Sequence, residues 1–205
     1  MRNLVFARNI FLLLAITSPA LLLAQFRPPT DEELKMTSDP KAPGAAAVFL
    51  NVEEIDNDPL HVQSSYARIK VLTEKGKDLA TVEVPYLRGD TKIVAIRART
   101  IHADGTVIPL IGKPEDLLSF KKTTNGGDNL QVNRKVFTLP SVEVGSILEY
   151  SYDLQYDENQ FMSPQWVIQR PYFVHKAHYA FTPFKGFMPG FQIRPVDTWK
   201  IVMNA

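Results

Sequence analysis

The residues best suited by type to do chemistry lie in Ala98–Leu110, which reads ARTIHADGTVIPL. His102 stands two residues before Asp104, with Thr100 and Thr106 on either side. A hydroxyl, an imidazole and a carboxylate could form a nucleophilic triad if the base reached both the hydroxyl and the acid. On an extended strand His102 and Asp104 share a face. Asp104-Gly105, however, is a strong reversal signal: glycine takes the positive φ, and aspartate caps neighbouring N–H groups. The stretch is therefore predicted to be a hairpin turn, with His102 as surface polar decoration on its flank.

The other polar constellations read the same way. His175 and His178 are three apart in a segment that reads as strand, so their imidazoles diverge, and no third ligand stands nearby. Glu149, Asp153, Asp157 and Glu158 could suggest calcium or paired carboxylates, but three of them share one strand face, and a solvated face is expected there. Asn125-Gly-Gly-Asp128 lacks the lysine and the helix start that a phosphate cradle needs. These readings predict no catalytic residue, no metal ligand and no cofactor. The aromatics are expected mainly in the core, except in Phe181–Phe191, a loop broken by Pro and Gly that cannot bury all its rings. There Phe184, Phe187 and Phe191 are candidate partner-binding residues.

The elements that must position these residues are mostly strands. Gly145–Asp157 holds period two: Leu148, Tyr150, Tyr152, Leu154 and Tyr156 on one face, and Glu149, Ser151, Asp153, Gln155 and Asp157 on the other. Ser65–Thr73 also alternates, and with Asp78–Pro85 it reads as a hairpin across Glu74–Lys77. Lys92–His102 and Thr106–Leu110 form a second hairpin. Ala45–Glu53, Val132–Leu139, Val174–Thr182 and Thr198–Met203 bring the count to about nine. Short strands separated by Gly, Pro and Asn turns predict an all-β fold, an antiparallel β-sandwich over residues 45–205. The convincing helix signal is a capping box at Thr30-Asp-Glu-Glu33, in a Pro-rich stretch, 25–44, that reads as a linker or a surface-hugging arm.

Composition bounds the function. The chain has 205 residues, 45% hydrophobic and 22% charged, with a formal net charge of +1 and dispersed Lys and Arg. That is a globular balance, without the basic stripe that nucleic acid requires. Cysteine is absent, which excludes disulfides, thiolate metal sites and a cysteine nucleophile within these residues. Arg2 and Arg8 precede a 15-residue apolar run, Ile10–Ala24, too short for a comfortable membrane span of roughly 20 residues. It reads as an export signal cleaved after Ala24, with Ala20 as the alternative. The expected location is periplasmic or secreted, with no membrane span after cleavage. The segment Trp199–Ala205 reads as a strand still in progress, as in a chain that continues.

Four segments carry a family resemblance: Lys41–Val48, Tyr66–Gly76, Ile96–Thr106 and Phe137–Tyr150. Their order and spacing resemble the domain-of-unknown-function family 3857, the module found ahead of transglutaminase-like domains in exported bacterial proteins. The resemblance implies a β-sandwich without an established reaction of its own, usually followed by a domain with a Cys-His-Asp triad. With no cysteine here, no catalytic residue carries over. The expectation is an exported, non-catalytic module that serves as scaffold or recognition domain for a transglutaminase-like partner. The alternatives are a fragment of a transglutaminase-like or cysteine-protease-like enzyme, and an envelope glycan- or peptide-binding module.

Overall fold

The computed structural model describes residues 26–123, 129–158, 164–184 and 199–204. After a short helix, α1 (Asp31–Lys35), come ten strands: β1 (Ala47–Asn57), β2 (Val62–Val71), β3 (Thr81–Leu87), β4 (Thr91–Ile101), β5 (Val107–Pro109), β6 (Glu115–Thr123), β7 (Asn129–Thr138), β8 (Ile147–Tyr156), β9 (Lys176–Thr182) and β10 (Trp199–Asn204). They make a seven-stranded sheet in the order β10-β9-β1-β2-β8-β4-β5 and a three-stranded sheet in the order β3-β7-β6.

One hydrophobic core draws on both sheets. Phe49, Ile69, Leu148 and Tyr179 from the large sheet meet Val84 and Phe137 from the small one. Ile69, Leu148, Val84 and Tyr179 are each no more than 1% exposed, and full burial of an aliphatic side chain contributes about 1.5–3 kcal/mol. The alternation in Gly145–Asp157 selects this inward face: Leu148, Leu154 and Tyr156 are buried, and Tyr150 and Tyr152 pack against the same core.

Three expectations need correction. Ser65–Thr73 and Asp78–Pro85 are not partners. β2 lies between β1 and β8, while β3 pairs with β7 in the other sheet. The connection Glu74–Ala80 is a 3-10 helix rather than a tight turn, and it carries the chain from one sheet to the other. Its Gly76 passes so close to β1 that an added Cβ would stand 2.2 Å from the Ala46 carbonyl oxygen. The fold is also not wholly antiparallel, because β9 runs parallel to β1. Finally, β6 was not foreseen: its register slips between Leu117 and Phe120, and a bulge of this kind breaks the two-residue period that betrays a strand.

A second bulge sets up the site described next. Val48 pairs with Lys70 and Phe49 with Ile69, but the next register pair is Asn51 with Arg68, leaving Leu50 as the extra residue. From there on, Asn51 and Glu53 share the outer face of the large sheet with Arg68 and Tyr66.

Candidate functional site

The outer face of the large sheet is polar, as its alternation requires, but its centre is not wet. Register aligns Arg68 of β2 with Glu149 of β8, and Glu149 with Arg99 of β4. Glu149 is fully buried, and Arg68 and Arg99 are less than a tenth exposed. Arg68 donates to Glu149 Oε1 from Nε at 2.9 Å and from Nη2 at 2.6 Å, and the Tyr66 hydroxyl donates to the same oxygen at 2.5 Å. Arg99 Nε donates to Oε2 at 2.6 Å. The solvated face expected for Glu149, Asp153 and Asp157 is thus overturned at Glu149. Asp153 remains partly exposed, accepting from Ser64 Oγ at 2.7 Å, and Asp157 is exposed.

What excludes water is the Pro-rich arm. Thr30 and Glu33 form the predicted capping box, each accepting the other's backbone N–H, which fixes α1 despite its five residues. Glu33 Oε2 also accepts from Arg68 Nη1 at 3.0 Å. Arg68 and Arg99 both donate through Nη2 to the Arg27 carbonyl, and Lys70 Nζ donates to the Leu34 carbonyl at 2.9 Å and to the Gly145 carbonyl at 2.6 Å. Phe26 lies 5.0 Å from the Arg99 guanidinium, measured to the ring centroid. The arm is therefore read through its main-chain carbonyls, one carboxylate and one ring.

The electrostatics follow from burial. Desolvation pushes the Tyr66 hydroxyl well above its ordinary pKa, and the adjacent Glu149 carboxylate pushes it further. Burial alone would lower the pKa of the Arg68 guanidinium, but the Glu149 carboxylate overrides that and raises it. Lys70, which donates to the Leu34 and Gly145 carbonyls, has its pKa lowered by burial.

At the β1 and β9 side lies a second set of carboxylates, with Asp56 and Asp58 buried and Glu54 half-buried; Asp56 and Glu54 anchor the segment 164–175. Trp166 Nε1 donates to Asp56 Oδ2 at 2.9 Å, Arg170 pairs with Glu54 and lies over the Phe49 ring, and the Tyr156 hydroxyl donates to Asp58 Oδ1 at 2.9 Å. Burial pushes the Asp56 carboxyl up to about 6, and nearby Glu54 and Asp58 add to the rise.

His102 Nε2 meets the Ser141 carbonyl at 2.8 Å, while Asp104 Oδ1 accepts the Thr106 N–H at 2.8 Å and Gly105 has φ +88°. That is the turn read from the sequence. The Thr106 N–H holds the exposed Asp104 carboxyl below its usual range. His175 and His178 are separated in role: His175 pairs with buried Asp39, while His178 lies in β9 opposite Glu53. Among the described residues no group of three His, Cys, Asp or Glu side chains could hold a metal ion. Phe184 is partly buried, and Phe187 and Phe191 lie outside the described residues, as do 1–25 and the Asn125–Asp128 loop. No helix among the described residues is long and apolar enough to cross a membrane.

Sequence reasoning missed the Arg68–Glu149–Arg99 cluster. Its signal was present as single charges at interior positions of apolar-rich strands, opposite in sign on β8 to those on β2 and β4. Only the strand order turns that into a contact.

Beside the arm lies a cleft of about 330 Å³, walled by Phe26, Arg27 and Glu33 of the arm, Asn51 and Glu53 of β1, Tyr66 and Arg68 of β2, Ser151 of β8 and Lys176 of β9. Asn51 Nδ2 donates to Glu53 Oε1 at 2.9 Å, while the buried Asn51 Oδ1 accepts from none of the described residues.

Comparison with known proteins agrees with this architecture. A solved structure of a protein described as a candidate protease from Parabacteroides distasonis ATCC 8503 superposes with a TM-score of 0.57 at 14% identity, over 66% of this chain. The chain spans only 28% of that longer protein, so the likeness is one of fold. No curated protein matches. The model of a domain of unknown function with a solved structure, DUF3857, matches residues 57–204, which include every strand from β2 to β10 and the Arg68, Arg99 and Glu149 cluster. With most of its length covered by that match, the chain belongs to the DUF3857 family.

Proposed function

We propose that this chain is an exported, non-catalytic β-sandwich module that acts as scaffold or recognition domain for a transglutaminase-like domain, in the periplasm or outside the cell. The observation that carries the reading is the recurrence of the fold as 28% of a longer chain described as a candidate protease. A small part of a larger protein is where a supporting module belongs. The Arg2, Arg8 and Ile10–Ala24 pattern supports export. The strongest charged cluster also fits a structural role, because Arg68, Arg99 and Glu149 spend their hydrogen-bonding capacity on one another and on the arm. The same likeness favours a second reading, in which the chain is one piece of a hydrolase whose chemistry lies in another domain.

Two assays on the full exported chain test the first reading. Incubated alone with a fluorogenic peptide, or with a glutamine donor and an amine acceptor, it turns over neither above buffer. A transglutaminase-like domain from a family member, expressed separately, is retained on the immobilised chain. Turnover by the isolated chain, or failure to retain that domain, overturns it.

A further inference from the structure

We infer that the cleft between the N-terminal arm and strands β1, β2, β8 and β9 binds a short acidic glycan. The inference deepens the recognition role proposed above and is independent of the transglutaminase association.

The chemistry of the walls argues for a sugar. Asn51 Oδ1, on the cleft wall, is a buried acceptor with no donor among the described residues, an unfavourable arrangement that a ligand hydroxyl would relieve. Among the described residues the Ser151 hydroxyl has no hydrogen-bond partner, and Glu53 retains acceptor capacity beyond its bond from Asn51. These groups suit a ligand that offers several hydroxyls. Phe26 and Tyr66, with ring centroids 6.0 Å apart, supply an aromatic wall against which the apolar face of a sugar ring can lie. The glycan should be acidic because the two exposed cations of the cleft, Arg27 and Lys176, outnumber its one carboxylate without an ion pair, Glu53. The side chains of Arg27 and Lys176 have no ion-pair partner among the described residues, whereas Arg68 and Glu33 already neutralise each other. A carboxylate on the sugar would meet them in charge-assisted bonds.

A peptide fits less well. A bound strand needs an unpaired sheet edge or pockets for alternate side chains. Here β1, β2, β8 and β9 are all paired on both sides, so the cleft offers no free main-chain ladder. Its apolar lining is limited to Leu50 and the rings. The volume is near the lower end of small-molecule sites, the size of one or two sugar rings.

The test titrates the full exported chain, uniformly labelled for amide NMR, with digalacturonic acid, with cellobiose as the uncharged control and with an acetylated dipeptide carrying a free carboxylate. The expected result is saturable shifts at Asn51, Glu53, Ser151 and Lys176 with a Kd below about 1 mM and at least fivefold weaker binding of cellobiose. Lys176 is exposed, so Lys176→Ala should leave the melting temperature unchanged and weaken binding of the acidic sugar by about tenfold. No shifts with either sugar, shifts with the dipeptide alone, or a Lys176→Ala protein that binds as well as wild type would each overturn the assignment. Retention of the transglutaminase-like domain by a chain that binds no sugar would sink this inference and leave the scaffold role standing. Cleavage of digalacturonic acid would confirm the cleft and refute the non-catalytic reading.

Discussion

Replacing Glu149 by glutamine tests whether the buried cluster holds the outer face together. Four donors converge on this carboxylate: Arg68 Nε and Nη2 and the Tyr66 hydroxyl on Oε1, and Arg99 Nε on Oε2. Glutamine keeps the shape and one acceptor, but its amide N–H₂ must face either Arg68 or Arg99, donor against donor. Two guanidiniums with side-chain exposures of 6% and 8% then lose their shared counter-ion. Removing one partner of a buried ion pair costs about 3–5 kcal/mol. For a domain of this size that is a fall in Tm of about 6–20 °C. Urea denaturation followed by tryptophan fluorescence and circular dichroism reads the loss, and amide exchange at Leu34, whose N–H donates to the Thr30 carbonyl, reads loosening of the arm. A companion triple variant, Arg68→Met, Glu149→Leu, Arg99→Met, removes every charge at once and should recover at least half of the lost stability, because matched apolar burial replaces a desolvated pair without an uncompensated charge. The reasoning fails if Glu149→Gln costs less than about 1 kcal/mol, or if the triple variant is no more stable than the single one.

Three further outcomes follow from particular contacts. Glu33→Ala removes half of the capping box and the bond to Arg68 Nη1, so equilibrium unfolding should show a loss of about 1–3 kcal/mol; a Glu33→Ala protein as stable as wild type would mean that the arm is not held there. Gly76→Ala sets a Cβ 2.2 Å from the Ala46 carbonyl oxygen, and the overpacked backbone should cost about 3 kcal/mol in a urea titration, with a neutral result contradicting the close passage. Asp56 is raised from 3.8 to about 6, so its contribution is fully present below pH 3.8 and is lost as pH rises through about 6. Asp56→Asn, which keeps an acceptor for Trp166, should therefore be more stable than wild type by about 1–3 kcal/mol at pH 8, with the gap shrinking towards pH 4; a gap constant across that range would refute the linkage.

Much of the local structure could be read from single stretches. The alternation in Gly145–Asp157 picked the inward face of β8 correctly, Asp104-Gly105 marked the β4–β5 turn, and Thr30 and Glu33 marked α1. Each of these depends on groups a few residues apart, and the sequence states that separation directly. The family match over 57–204 bears out a resemblance that likewise rested on ordered local motifs.

Pairing was beyond that reach. Alternation says which residues share a face of one strand, and nothing about which strand lies beside it. Ser65–Thr73 and Asp78–Pro85 therefore looked like partners, although a 3-10 segment sends them to different sheets. The outer face of β8 looked wet for the same reason. A charged residue on the outward side of a strand is solvated only if nothing covers it, and here Arg68, Arg99 and the arm come from chain segments 50 to more than 100 residues away from Glu149. The sequence determined nine of the ten strands, the inward face of β8 and the arm's helix, because those follow from short-range periodicity and capping. The tertiary structure alone decided that Glu149 is buried, that the arm is a lid on a charged cluster, and that a cleft opens beside it, because burial is a property of what long-range pairing brings together.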